Sequence, residues 1–163
     1  PLNYGLQFHG GAARRRLPRT QTGRSMIGIL VVAHGSLGDS LIECAEHVLG
    51  ARPEALTAIN FIGHADPDER QHVLRQKLEA LDSGDGVLVL ADVYGATPCN
   101  TLCRALEPSH IEGVTGANLP MLLTALNYRE RLGLHELAAR IVDSGQHGIQ
   151  NISESMCHAA TGR

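Results

Sequence analysis

Apolar residues follow one another without a break from Met26 to Ala33, among them Ile27, Ile29, Val31 and Val32. Such a run reads as a strand buried on both faces of a parallel sheet. The period then changes. Leu41, Ile42, Ala45, Val48 and Leu49 line one side of a helix expected from about Leu37 to Leu49, within which Ser40 and Glu43 have capping-box spacing. Leu56 to Ile62 reads as the second strand. Asp66-Pro67-Asp68-Glu69 opens the next helix, with Asp66 as cap, Pro67 at the first helical position, and Val73, Leu74, Leu78 and Leu81 on its inner face. Asp85-Gly86 turns into a third strand, Val87 to Val93, and Thr97-Pro98 opens a helix to about Leu106. A fourth strand spans Ile111 to Ala117, a helix runs from Pro120 to about Leu132, and His135 to Asp143 is helical again. The short alternating segment Gly148-Ile149-Gln150-Asn151-Ile152 reads as a last strand. This alternation predicts an α/β fold: an open, mostly parallel four-stranded sheet with helices on both faces.

The chain has 163 residues, which suits one domain. Its formal charge is −3, and no basic stripe occurs beyond residue 25, so no nucleic-acid footprint is present. Trp is absent and aromatics make up 3% of the chain, which removes a stacking platform for single strands. Cys44, Cys99, Cys103 and Cys157 form no C-x-x-C pair, so a cytoplasmic, reducing setting is expected. No apolar run approaches the roughly 20 residues of a membrane span. Residues 1–25 contain Arg14-Arg15-Arg16, no acid and no apolar periodicity. They are expected to be a disordered leader, a tag remnant or an over-long start before Met26, with a transit peptide as the alternative. The domain is expected to span 26–152, with 153–163 as a C-terminal tail.

Ligands of open parallel sheets bind beyond the carboxyl ends of the strands, where strand order reverses. Three such ends carry chemistry. Ala33-His34-Gly35-Ser36 follows the first strand, Asp92-Val93-Tyr94-Gly95-Ala96-Thr97-Pro98 the third, and Gly116-Ala117-Asn118-Leu119-Pro120 the fourth. A neutral imidazole is a competent nucleophile near neutral pH once its tautomer is fixed. Asp92 is an acceptor able to hold one ring N–H of His34. Glycine-rich turns leading into helix starts, Gly35-Ser36 and Gly95-Ala96-Thr97, supply backbone amides for a phosphoryl group. Each piece also has a plain structural reading, Asp92 as a turn cap and Thr97 as an N-cap among them. Their coincidence on one rim points to phosphoryl transfer through histidine.

The blocks Met26-Ile-Gly-Ile-Leu-Val-Val-Ala-His-Gly35, Val89-Leu-Ala-Asp-Val-Tyr-Gly-Ala-Thr-Pro-Cys-Asn100 and Gly116-Ala-Asn-Leu-Pro-Met-Leu-Leu123 occur in this order. They resemble the three signature blocks of the mannose-type IIA components of the bacterial phosphoenolpyruvate:sugar phosphotransferase system, and the resemblance covers about Met26 to Ile152. Ala96 stands where that family commonly has glycine. The resemblance implies a phosphocarrier. His34 accepts a phosphoryl group from phospho-HPr and passes it to a histidine of a IIB component, Asp92 orients His34, and Thr97 helps hold the phosphoryl group. It also implies a homodimer in which a final antiparallel strand, here the segment 148–152, is exchanged between subunits. No metal or organic cofactor is implied, and membrane association is at most indirect, through the permease. The sugar is not disclosed, because the family's selectivity lies in its membrane components. A regulatory phosphocarrier without sugar import, or a relative of the dihydroxyacetone-kinase phosphoryl donors, carries the same residues.

Other readings fit less well. A flavodoxin-like nucleotide binder is unsupported, since no G-x-G-x-x-G follows the first strand and no P-loop lysine is present. Histidine phosphatases carry Arg before the His-Gly pair, where this chain has Ala33. His47, His72 and His135 read as solvated helix residues, and His64 lies nearer the rim. Cys99 and Cys103 share a helix face but lack a third metal ligand at fitting spacing, so they read as buried thiols. Met121, Leu122 and Leu123 read mainly as helix core, and Asn118 as a turn residue or a partner of the site loops.

Overall fold

The computed structural model describes residues 26–61, 66–93 and 110–152. Eight elements follow in chain order: β1 (Gly28–His34), α1 (Leu37–Leu49), β2 (Leu56–Phe61), α2 (Pro67–Leu81), β3 (Val87–Ala91), β4 (Ile111–Thr115), α3 (Leu119–Tyr128) and α4 (Leu134–His147). The expected helix over 97–106 lies outside the described residues, as does His64.

The four strands form one parallel sheet in the order β2-β1-β3-β4. Both central strands are apolar throughout because side chains alternate across a sheet that is covered on each face. Ile29 and Val31 of β1, with Leu88 and Leu90 of β3, pack against Ile42 and Ala45 of α1, Leu122 and Ala125 of α3, and Leu137 and Ile141 of α4. Leu30, Val32, Val87 and Val89 point the other way onto Leu74, Leu78 and Leu81 of α2. Every β1 residue is buried except the last, His34.

Local signals set several helix ends. The Asp66 carboxylate accepts the Asp68 N–H at 3.1 Å and Pro67 opens α2. Asn118 caps α3, its Oδ1 accepting the Met121 N–H at 3.1 Å and its Nδ2 donating to the Gly116 carbonyl at 3.2 Å. Asn118 therefore serves the turn. Met121 and Leu122 are core, as expected.

α1 spans Leu37–Leu49 as expected: Ser36 holds the N-cap position without a side-chain cap bond, and the Ser40 N–H already donates to the Ser36 carbonyl at 3.0 Å, so Ser40 and Glu43 lie within the helix. Spacing alone cannot separate a capping box from two polar residues on a solvated helix face. Residues 148–152 form no strand in this single chain. The Gly148 N–H closes α4 on the Ser144 carbonyl at 3.0 Å, and Ile149 and Ile152 are 79% and 73% exposed. A strand needs a neighbouring backbone to bond, and α4 delivers this segment to solvent.

Candidate phosphoryl-transfer site

Strand order reverses between β1 and β3, since β1 sends the chain to β2 on one side and receives β3 on the other. The crevice predicted by this reversal lies at the carboxyl ends of these two strands. Val32 pairs with Ala91, so His34 and Asp92 stand at adjacent strand ends. One carboxylate oxygen, Asp92 Oδ2, accepts the His34 backbone N–H at 2.8 Å and lies 2.9 Å from His34 Nδ1. The imidazole is 51% exposed, whereas the carboxylate is 7% exposed.

Electrostatics favour a charged carboxylate. Burial pushes the Asp92 carboxyl up, but the His34 backbone N–H, the His34 ring and the Val93 N–H together hold it below its ordinary value of 3.8. A carboxylate acceptor at Nδ1 selects the tautomer with its proton there, which leaves Nε2 with a free lone pair. The pair thus sets a half-exposed imidazole over a nearly buried carboxylate that favours one ring tautomer.

Gly35 continues from the ring with φ of 56°, a left-handed turn that Gly adopts without strain. It swings the chain directly into α1. Ser36 is exposed and its hydroxyl makes no cap bond. Gly95, Ala96 and Thr97 lie outside the described residues, as do Cys99 and Cys103. Among the described residues, no group of three or more His, Cys, Asp or Glu side chains is placed to hold a metal ion. The sequence did not single out Asn60 and Asp39. Asn60 Nδ2 donates to Asp39 Oδ2 at 2.5 Å, joining the end of β2 to the first turn of α1. Only strand pairing reveals this contact. Leu37 and Val93, 43% and 52% exposed, adjoin the site in sequence as apolar surface.

A family model described as the PTS system fructose IIA component, EIIA-man, matches residues 28–142. The chain belongs to this IIA family. It is 33% identical over 130 residues to the PTS system mannose-specific EIIAB component of Escherichia coli K12, covering 76% of this chain and 39% of that protein. The chain therefore spans about two fifths of that relative's length. It is 29% identical over 132 residues to the PTS system fructose-specific EIIA component of Bacillus subtilis, covering 80% of this chain and 90% of that one. The crystal structure of phosphotransferase system component EIIA from Streptococcus agalactiae matches with a TM-score of 0.70 at 28% identity, over 79% of this chain and 99% of that one. The four-stranded parallel architecture is that of IIA proteins. Among the described residues, no helix of this IIA chain is long and apolar enough to cross a membrane.

Proposed function

We propose that the protein is a cytoplasmic phosphocarrier of the sugar phosphotransferase system that takes a phosphoryl group from phospho-HPr onto His34 and delivers it to a histidine of a IIB component. The observation that carries this reading is the His34 Nδ1–Asp92 contact at 2.9 Å beneath a half-exposed ring. In the first step the lone pair of His34 Nε2 forms a new N–P bond. The N–P bond of the donor breaks, and its electron pair returns to the donor imidazole. The proton on His34 Nδ1 stays in place, and the positive charge that builds on the ring is met by Asp92. The second step repeats this displacement with the IIB histidine as nucleophile and His34 as leaving group. The phosphohistidine is itself the covalent intermediate, so the scheme uses no metal or organic cofactor.

Backbone amides at the start of α1 and in the Gly95-Ala96-Thr97 turn, with the Ser36 and Thr97 hydroxyls, are the donors this reading assigns to the phosphoryl oxygens. Leu37 and Val93 give two successive protein partners an apolar rim to close on. Residues 26–152 are the working unit of this reading, with 1–25 and 153–163 outside it. The unit pairs as a homodimer by exchanging residues 148–152. β4 is an edge strand in the single chain, which supports this, and Ile149 and Ile152 are apolar and exposed.

Incubation with Enzyme I, HPr and phosphoenolpyruvate, followed by mass spectrometry under non-acidic conditions, tests the reading. One acid-labile phosphate on His34 is expected, and none on a folded His34→Ala variant. Phosphate appearing on that variant at the wild-type rate would overturn it.

A further inference from the structure

α1 begins at Leu37, three positions after His34 ends β1. Its first backbone donor committed within the helix is the Ser40 N–H, so the amides of Leu37, Gly38 and Asp39 precede that ladder. Gly35 lets the chain turn but does not by itself fix where that turn stands. A second constraint comes from β2. Asn60 pairs in register with Ala33, one position before the residue opposite His34. Its Nδ2 holds Asp39 Oδ2 at 2.5 Å. Its Oδ1 is buried without a hydrogen-bond partner among the described residues. It lies against Gly38, where an added Cβ would stand 2.8 Å from that oxygen and 3.0 Å from the Ala58 Cβ.

A buried carbonyl without a donor is unfavourable, and an apolar side chain of similar size would avoid that cost. Packing alone therefore does not account for an asparagine at this position, whereas its grip on α1 does. Asp39 is also the acidic residue of this first turn. Left to rotate freely, its carboxylate would compete with a phosphoryl group for the same amides and repel it.

We propose that Asn60 is a positioning residue for phosphoryl transfer, clamping the start of α1 to β2 through Asp39 and Gly38 so that the amides and the carboxylate keep fixed places beside His34. Asn60 touches neither the phosphorus nor the reacting nitrogen and exchanges no proton. The bond made at His34 Nε2 and the bond broken on the donor are unchanged; what changes is how well the developing charge is received. The inference rests on the phosphocarrier reading above.

The test uses the full chain with Enzyme I, HPr and phosphoenolpyruvate, measuring the maximal rate and the apparent KM for phospho-HPr separately. Asn60→Ala is expected to lower the maximal rate by about tenfold or more while the KM stays within about twofold, because geometry and not docking is lost. Asn60→Asp alone sets two carboxylates against each other and lowers the rate further. The exchange Asn60→Asp with Asp39→Asn restores a donor–acceptor pair of reversed polarity and is expected to recover the rate to within about threefold. Should Asn60→Ala not fold, Asp39→Ala carries the same prediction with Asn60 left in place. A folded Asn60→Ala or Asp39→Ala protein at the wild-type rate, a loss confined to KM, or an exchange variant that folds without recovery would each overturn the proposal. A wild-type chain that gains no phosphate on His34 overturns the phosphocarrier reading and this one with it; a phosphorylated wild type matched by Asn60→Ala overturns this one alone.

Discussion

Nδ1 of His34 and Oδ2 of Asp92 lie 2.9 Å apart, although 58 positions separate the two residues in the chain. The same oxygen also accepts the His34 backbone N–H at 2.8 Å. A single buried atom thus fixes both the end of β1 and the orientation of the ring it carries. A carboxylate acceptor at Nδ1 favours the tautomer that carries its proton there.

Replacing Asp92 with Asn keeps the shape but removes the charge and puts the tautomer in doubt. Phosphoryl transfer to His34 is expected to slow by ~10²-fold or more. Rapid-quench measurement of phosphohistidine formation checks this. A rate within twofold of wild type would remove Asp92 from the mechanism.

The same pair makes a prediction about stability and pH. The folded-state pKa of Asp92 is depressed by the His34 contacts and the Val93 N–H, which outweigh the upward push of burial. A depressed carboxylate contributes stability that is fully present above its unfolded value, about 3.9, and is lost as pH falls through the folded value. Urea unfolding of wild type and Asp92→Asn at descending pH should therefore show the stability gap narrowing only on acidification below about pH 4. A gap that is constant from neutral to strongly acidic pH would contradict this linkage.

Arg129 sits far from the chemistry, at the amino-terminal end of the sheet. It is 7% exposed, its Nη1 donates to the Glu54 carbonyl at 2.7 Å, and its own carbonyl accepts the Ile27 N–H at 3.3 Å. Burial holds its pKa below the ordinary value against the upward pull of Glu130 and Glu54; a guanidinium stays charged even so, and it ties the α1–β2 connection to the end of α3. Arg129→Leu removes the charged donor to the Glu54 carbonyl and is expected to cost about 1.5–3 kcal/mol. Chemical denaturation measures that loss, and the rate of His34 phosphorylation should be unchanged in the folded protein.

Ending the chain before Gly148 removes Ile149 and Ile152, which are exposed in the single chain. Sedimentation of the truncated protein is expected to show a weakened dimer beside the full chain. An equally stable dimer would place the subunit contact elsewhere.

The strands and helices were readable because burial on both faces writes long apolar runs into β1 and β3, and burial on one face writes a helical period into α1 and α4. Asp66-Pro67 announced its helix because the capping chemistry is local. Ser40 and Glu43 show the limit of such signals: any polar pair at that spacing looks alike until backbone conformation is known, and these two lie inside α1. The role of Asn118 became clear only when its two hydrogen bonds to the turn were visible. Asn60 left no trace in the pattern, since an asparagine near a strand end is unremarkable until β2 is laid beside β1.

Residue order alone was enough to give the alternation seen over the described elements and the family whose blocks the chain carries, because each depends on neighbours a few positions apart. The pairing of His34 with Asp92 and of Asn60 with Asp39 depended on folding. Parallel strands joined by helices bring together residues that lie far apart in the chain, and hydrogen bonds are decided at the scale of a few tenths of an ångström. That scale is set by strand register and helix packing across the whole domain.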